Sequence, residues 1–177
     1  YARGRVRSRA IEDVVKEVEG LAKSGYREVV LTGIHLSSYG LTENYNSGFE
    51  HNHLLELIEA VAKVQGIDRI RLGSLEPQII TEAFASRLAK VDKICPHFHL
   101  SLQSGCDATL KRMNRKYTAA EYEAGCVMLR KYFDAPAITT DVIVGFPGET
   151  EEEFETTKEY VDHIGFYEMH IFKYSKR

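Results

Sequence analysis

Residues 138–154 read ITTDVIVGFPGETEEEF. The apolar and β-branched run Ile138 to Val144 has the length of a buried strand. Gly145, Pro147 and Gly148 then turn the chain, and Thr150 with Glu153 has the spacing of a capping box that starts a helix. Four more β-rich runs share this strand-to-turn form: EVVLTGIHL (28–36), RIRLGSLEP (69–77), HFHLSLQSG (97–105) and EMHIFKYS (168–175). Helix-length segments separate them. Val14, Val18, Leu21 and Ala22 form one apolar stripe at helical spacing, Leu54, Leu57, Ile58 and Val61 a second, and Phe154, Thr157, Val161 and Ile164 a third. Ile80 to Ala89 and Thr118 to Tyr132 carry weaker helical patterns, the latter opening on a second capping box, Thr118 with Glu121.

Alternating strands and helices predict an α/β chain with a parallel sheet. The pattern opens on a helix, so a strand is expected before it. Counting that strand gives six βα units, fewer than the eight of a closed barrel. The fold class expected is therefore an incomplete, open (β/α)6 TIM-like barrel whose first strand is missing, in one domain over residues 1–177. A doubly wound open sheet is the alternative. Residues 41–52, LTENYNSGFEHN, read as a polar loop insertion.

The composition, 44% hydrophobic and 28% charged, is that of a globular domain, and no apolar run reaches the roughly 20 residues needed to cross a bilayer. These features predict a soluble, cytoplasmic protein with no membrane partner. Cys95, Cys106 and Cys126 fit neither a disulfide framework nor a CxxC metal pair and read as reduced thiols. Net charge is −3, but the positive charge is local. Arg3, Arg5, Arg7 and Arg9 form one cluster, Lys111, Arg112, Arg115 and Lys116 a second, and Lys173, Lys176 and Arg177 a third. All three would converge on the carboxyl-end face of the strands, where parallel α/β folds bind ligands, which points to an oriented polyanion site.

The same face gathers Thr32-Gly33, Glu76-Pro77, Gln103-Ser104-Gly105 and the Gly145–Glu149 turn. Gly145 and Gly148 let backbone approach a ligand, or merely make a tight turn; Thr32 and Gly33 carry the same two readings. GFPG has the spacing of neither a dinucleotide fingerprint nor a P-loop. His35, His97, His99 and His170 read as structural. Asp141, in an otherwise apolar strand, requires a partner. No Ser/His/Asp order or HExxH motif supports hydrolysis, and the near absence of strand lysines argues against a Schiff-base aldolase.

Taken together, YARGRVRSR, VVLTGIHLSSYG, RIRLGSLEP, HFHLSLQSGCDATLKRMNRKYT, TTDVIVGFPGETEEEF and HIFKYSKR resemble, in order and spacing, the radical S-adenosylmethionine methylthiotransferases. LTGIHL and SLEPQ resemble the branch acting on N6-threonylcarbamoyladenosine beside the tRNA anticodon; the isopentenyladenosine and ribosomal-protein branches, and a non-catalytic RNA-binding barrel, are alternatives. The resemblance implies a radical SAM barrel, S-adenosylmethionine, two 4Fe-4S clusters, tRNA and an electron-donor protein, with no DNA partner. It places the cluster cysteines before Tyr1, so that no metal ligand is expected in this chain, and the amino-terminal cluster domain and carboxyl-terminal RNA-binding domain outside it. The 177 residues alone are then expected to be inactive. By resemblance, Thr32 and Gly33 meet the methionine amino group, Ser101 and Gln103 the ribose, and Val144 and Gly145 the adenine. Glu76 and Arg115 are further cofactor contacts, while Arg3, Arg5, Arg7, Arg9, Lys111, Arg112 and Lys116 grip RNA phosphates. The resemblance gives no catalytic side chain.

Overall fold

A computed structural model describes residues 7–41 and 53–176, so Arg3, Arg5, Arg177 and nearly all of the 41–52 insertion lie outside the described residues. The chain divides into two compact units: residues 1–74 with 82–95, and residues 75–81 with 96–177.

In the first unit, helix α1 (Ile11–Lys23) places Glu12 and Asp13 in its first turn, where carboxylates favour the helix dipole. Of the apolar stripe expected on it, only Val18 is fully buried. Gly25, at φ 93°, reverses the chain into strand β1 (Glu28–Leu31). Helix α2 (His53–Ala62) buries Leu54, Leu55, Leu57, Ile58 and Val61 and leads to β2 (Arg69–Leu72). β1 and β2 pair in parallel with Glu28 opposite Arg69. The Glu28 carboxylate accepts from Arg69 Nε at 2.6 Å and Arg71 Nε at 3.0 Å, and these guanidinium bonds hold its pKa below the ordinary carboxylate value. Helix α3 (Glu82–Leu88) buries Phe84, Ala85 and Leu88, and Arg87 joins it to α2 by a two-pronged bond to Glu59. It starts later than the 80–89 pattern predicts because Ile80 caps a separate 3-10 turn, Pro77–Ile79, which belongs to the second unit.

In the second unit, β3 (His97–His99), β4 (Ala137–Val144) and β5 (Glu168–Lys173) form one parallel sheet with β4 central. Leu75 bridges to Leu100 on the outer side of β3. Phe98, Leu100, Ile138, Thr140 and Val142 are buried, as are Tyr122, Cys126 and Leu129 of α5 (Ala119–Tyr132) and Thr157 and Ile164 of α6 (Glu151–Ile164). Both expected capping boxes form: Glu121 N donates to Thr118 Oγ1 at 3.2 Å and Glu153 N to Thr150 Oγ1 at 3.3 Å, with reciprocal carboxylate bonds. Gly165, at φ 63°, ends α6. A short helix to which the sequence pattern assigned no element, α4 (Asp107–Arg112), carries Lys111 and Arg112.

Burial sets a pH limit on this unit. The Cys126 thiol is pushed up to about 12, and Tyr117, Tyr122 and Tyr160 are raised as well, desolvation being the largest cause for each. Each folded pKa lies above its unfolded value, so the stability these groups contribute is complete below about pH 9, the ordinary thiol pKa, and falls as pH rises toward 12. The urea midpoint is expected to decline steadily over that window, and Cys126 is expected to resist iodoacetamide until the protein unfolds. A flat midpoint from pH 9 to pH 11 would contradict this.

Candidate functional site

The chemistry-bearing residues lie where strands end. In the first unit, Thr32 and Gly33 follow β1 and are exposed. Gly73, after β2, donates its N–H to Leu31 O at 2.8 Å, and a Cβ there would stand 2.8 Å from Thr32 Oγ1; the missing side chain leaves room for the threonine. The chain then makes a 3-10 turn, Leu36–Ser38. Tyr39 O–H donates to Arg9 O at 2.6 Å and Gly40 N to Ser8 Oγ at 2.9 Å, so part of the arginine-rich segment is tied to this turn. Arg9 also pairs with Glu17, while Arg7 is exposed.

The second unit holds Glu76, Ser101, Gln103, Arg115, Val144 and Gly145. Leu75 N donates to His99 O at 2.9 Å and Ser101 N to Leu75 O at 3.2 Å, which sets Glu76 beside the end of β3. Arg115 Nη1 lies 3.9 Å from Glu76 Oε1. Tyr117 O–H donates to the carbonyls of Ser101 (2.7 Å) and Leu102 (3.0 Å). The sequence reading missed Tyr117, whose only signal was its place beside the Thr118 cap.

Gln103 sits at φ 72°, a left-handed conformation that costs a non-glycine residue about 1–2 kcal/mol. It is held there by ladder bonds on both sides, its N to Asp141 O at 2.8 Å and its O from Ile143 N at 2.9 Å. Only 8% of the residue is exposed. Strain kept at a buried polar residue marks a position whose geometry matters. Beyond it, Thr157 O–H donates to Glu153 O at 3.1 Å, so the Ser104 hydroxyl must donate to Thr157 Oγ1 (3.0 Å) while accepting from Cys106 N (3.2 Å); Gly105 N also reaches Thr157 Oγ1. α6 thus holds the Ser104-Gly105 backbone.

Gly145 (φ 73°) and Gly148 (φ 80°) make the turn after β4 with backbone that L side chains rarely adopt. Gly145 N donates to Glu149 Oε2 at 2.5 Å and Glu149 N to Phe146 O at 2.9 Å. Arg112 runs beside Gly148 and grips Glu153 with two nitrogens, one bond being 3.0 Å, and it donates to Thr109 Oγ1 at 3.1 Å. This pairing raises the Arg112 pKa and lowers that of Glu153. Arg112, expected on RNA phosphates, is therefore already engaged in fixing the start of α6. Lys111 and Lys116 are exposed, and Lys116 Nζ donates to Asn114 Oδ1 at 2.8 Å.

Asp141 has the partner it requires: His99 Nε2 stands 3.3 Å from Asp141 Oδ2, with His99 Nδ1 3.0 Å from Thr139 Oγ1. Cys95 is half-buried and Cys106 and Cys126 are buried. Among the described residues no group of three His, Cys, Asp or Glu side chains could hold a metal, so they do not fit an iron–sulfur cluster. A strained Gln103 and a two-glycine turn with open backbone do fit a nucleoside-bearing ligand. No described helix is long and apolar enough to cross a membrane.

A profile of the radical SAM superfamily matches residues 1–161. The chain is 44% identical over all 177 residues to the threonylcarbamoyladenosine tRNA methylthiotransferase MtaB of Bacillus subtilis, spanning 38% of that protein. It is equally similar to its namesake in Aquifex aeolicus, spanning 42%. It is 40% identical to the tRNA-2-methylthio-N(6)-dimethylallyladenosine synthase of Alkaliphilus oremlandii, spanning 36%. The chain thus covers about two fifths of the relatives it matches. Among solved structures, the radical S-adenosylmethionine methyltransferase TsrM of Kitasatospora setae, with cobalamin and a [4Fe-4S] cluster bound, is similar over 93% of this chain and 31% of its own, at TM-score 0.71 and 18% identity. Escherichia coli coproporphyrinogen III oxidase, HemN, is similar over 93% of this chain and 37% of its own, at TM-score 0.59 and 15% identity. At such identities these likenesses show fold alone, and the fold class they show is the one expected from strand–helix alternation, a partial α/β barrel type.

Proposed function

We propose that this chain, which belongs to the radical SAM superfamily, is the cofactor-binding core of a tRNA methylthiotransferase that places a methylthio group on C2 of N6-threonylcarbamoyladenosine beside the anticodon. The observation that carries this reading is identity of 44% along the whole chain to two proteins bearing that activity in their names. The superfamily implies S-adenosylmethionine and a 4Fe-4S cluster. The described residues do not fit the cluster, so in this reading the ligands of that cluster, and of a second, come from residues beyond these 177.

For S-adenosylmethionine the residues do fit, and when bound it supplies the radical and methyl chemistry of the superfamily. Gln103, held rigidly by β4, and Ser101, whose carbonyl is fixed by Tyr117, would orient the ribose. The backbone at Val144 and Gly145 would flank the adenine, with the Glu149 carboxylate steadying the turn. Arg115 and Glu76 would meet the charged amino-acid end. In the first unit, Thr32 and Gly33 would offer polar groups to an ammonium. Arg3, Arg5, Arg7, Arg9, Lys111 and Lys116 would hold tRNA phosphates, at a salt-dependent affinity.

A second reading, action on the dimethylallyl nucleoside, is favoured by the 40% identity to the Alkaliphilus oremlandii enzyme. Nucleoside analysis of tRNA from a strain lacking the full gene separates the two. Loss of 2-methylthio-N6-threonylcarbamoyladenosine with the dimethylallyl product intact is expected; the reverse pattern would refute the first reading.

A further inference from the structure

One face of the second unit's sheet carries chemistry that the cofactor site leaves unused. Register pairing sets Asp141 beside His170, and alternation along β4 and β5 puts His99, Thr139, Asp141, His170 and Phe172 on the same side. The ring centroids of His99 and His170 lie 6.4 Å apart, and those of His170 and Phe172 lie 6.5 Å apart. His170 is exposed and Phe172 is 53% exposed. Among these rings stands a carboxylate with one oxygen at His99 and the other without a hydrogen-bond partner among the described residues. Lys173 and Lys176 follow within a few residues; both are exposed and neither forms an ion pair among the described residues.

A face built only to pack against protein would have little use for an acceptor left open beside exposed rings, because covering it would bury an unsatisfied charge. His170 and Phe172, their ring planes inclined by 37°, offer exposed π faces beside a hydrogen-bond acceptor with cations nearby, a set complementary to a nucleobase, stacked on one ring and edge-on to the other, on an anionic strand. We infer that His170 and Phe172 form a stacking platform for a purine base of a single-stranded RNA loop, that Asp141, oriented by His99, accepts from an N–H on the base edge, and that Lys173 and Lys176 meet the flanking phosphates. This rests on the proposed tRNA substrate and names the residues that present its base.

The test uses the full-length protein and an anticodon stem-loop RNA with 2-aminopurine in place of the adenosine beside the anticodon, because stacking quenches that fluorophore. Binding to the unsubstituted protein is expected to quench it. Phe172→Leu, which keeps an apolar side chain but no ring, is expected to weaken binding about 5- to 100-fold and leave the fluorescence high, whereas Phe172→Tyr retains both affinity and quenching. His170→Ala, a change at an exposed position that spares the core, is expected to weaken both by a smaller factor. If an unlabelled anticodon stem-loop is modified normally but affinity and quenching of the probe RNA are unchanged in Phe172→Leu and His170→Ala, the platform is wrong and the proposed function stands. If the unsubstituted protein does not bind the RNA, both fail.

Discussion

Tyr122→Ala is expected to lower the stability of the protein by about 3–5 kcal/mol, the range for truncating a large, fully buried aromatic. Tyr122 is wholly buried on α5. Its ring meets those of Tyr160 and Phe166 at centroid distances of 6.5 Å and 6.1 Å. Its hydroxyl donates to Leu100 O at 2.9 Å. That carbonyl also accepts from Thr140 Oγ1, which in turn accepts from Leu102 N at 3.0 Å. Tyr122→Phe separates the two contributions. It keeps the ring, and Leu100 O retains Thr140 as a donor, so the cost falls to about 1 kcal/mol. Urea unfolding monitored by near-ultraviolet circular dichroism checks both values. Equal losses for the two variants would mean that the hydroxyl network, and not the ring, dominates. The network lies directly before Gln103, so loosening it is also expected to relax the strained residue next in line.

Much of this arrangement was legible before any coordinates. Periodicity placed all five strands, four of their runs ending in Gly or Pro, and the two capping boxes fixed the starts of α5 and α6. The demand that Asp141 have a partner also held, since a carboxylate in an apolar strand has few other options. What sequence could not give were relations between residues far apart. α4 was missed because DATLKR is only six residues and has little apolar face to detect. The Arg112–Glu153 pair joins positions 41 apart, so no local spacing announces it. The left-handed backbone at Gln103 was invisible for a different reason: glutamine has no preference for it, and only ladder bonds from β4 impose it. Tyr117 was passed over because its role is to bond backbone carbonyls, which leaves no trace in residue type.

Gly105→Ala is expected to be nearly as damaging as loss of the Tyr122 ring, at about 2–4 kcal/mol, although it adds a single methyl group. A Cβ at Gly105 would lie 2.6 Å from Tyr160 Cβ and 2.8 Å from Tyr160 Cγ and Cδ1. These atoms form the base of the side chain, so a rotation cannot clear them all. Tyr160 is also pinned at its far end, where its hydroxyl donates to Ala119 O at 2.7 Å. α6 must therefore shift, and with it Thr157, which bonds both Ser104 Oγ and Gly105 N. That displacement would release the backbone just beyond Gln103, so under the proposed function the S-adenosylmethionine affinity of the full-length protein is expected to fall about tenfold along with stability. The double variant Gly105→Ala/Tyr160→Ala removes the obstructing ring. Its cost should be smaller than the sum of the single variants by about 1–2 kcal/mol, the signature of two residues in direct conflict. Strict additivity would show instead that the added methyl group does not press on Tyr160.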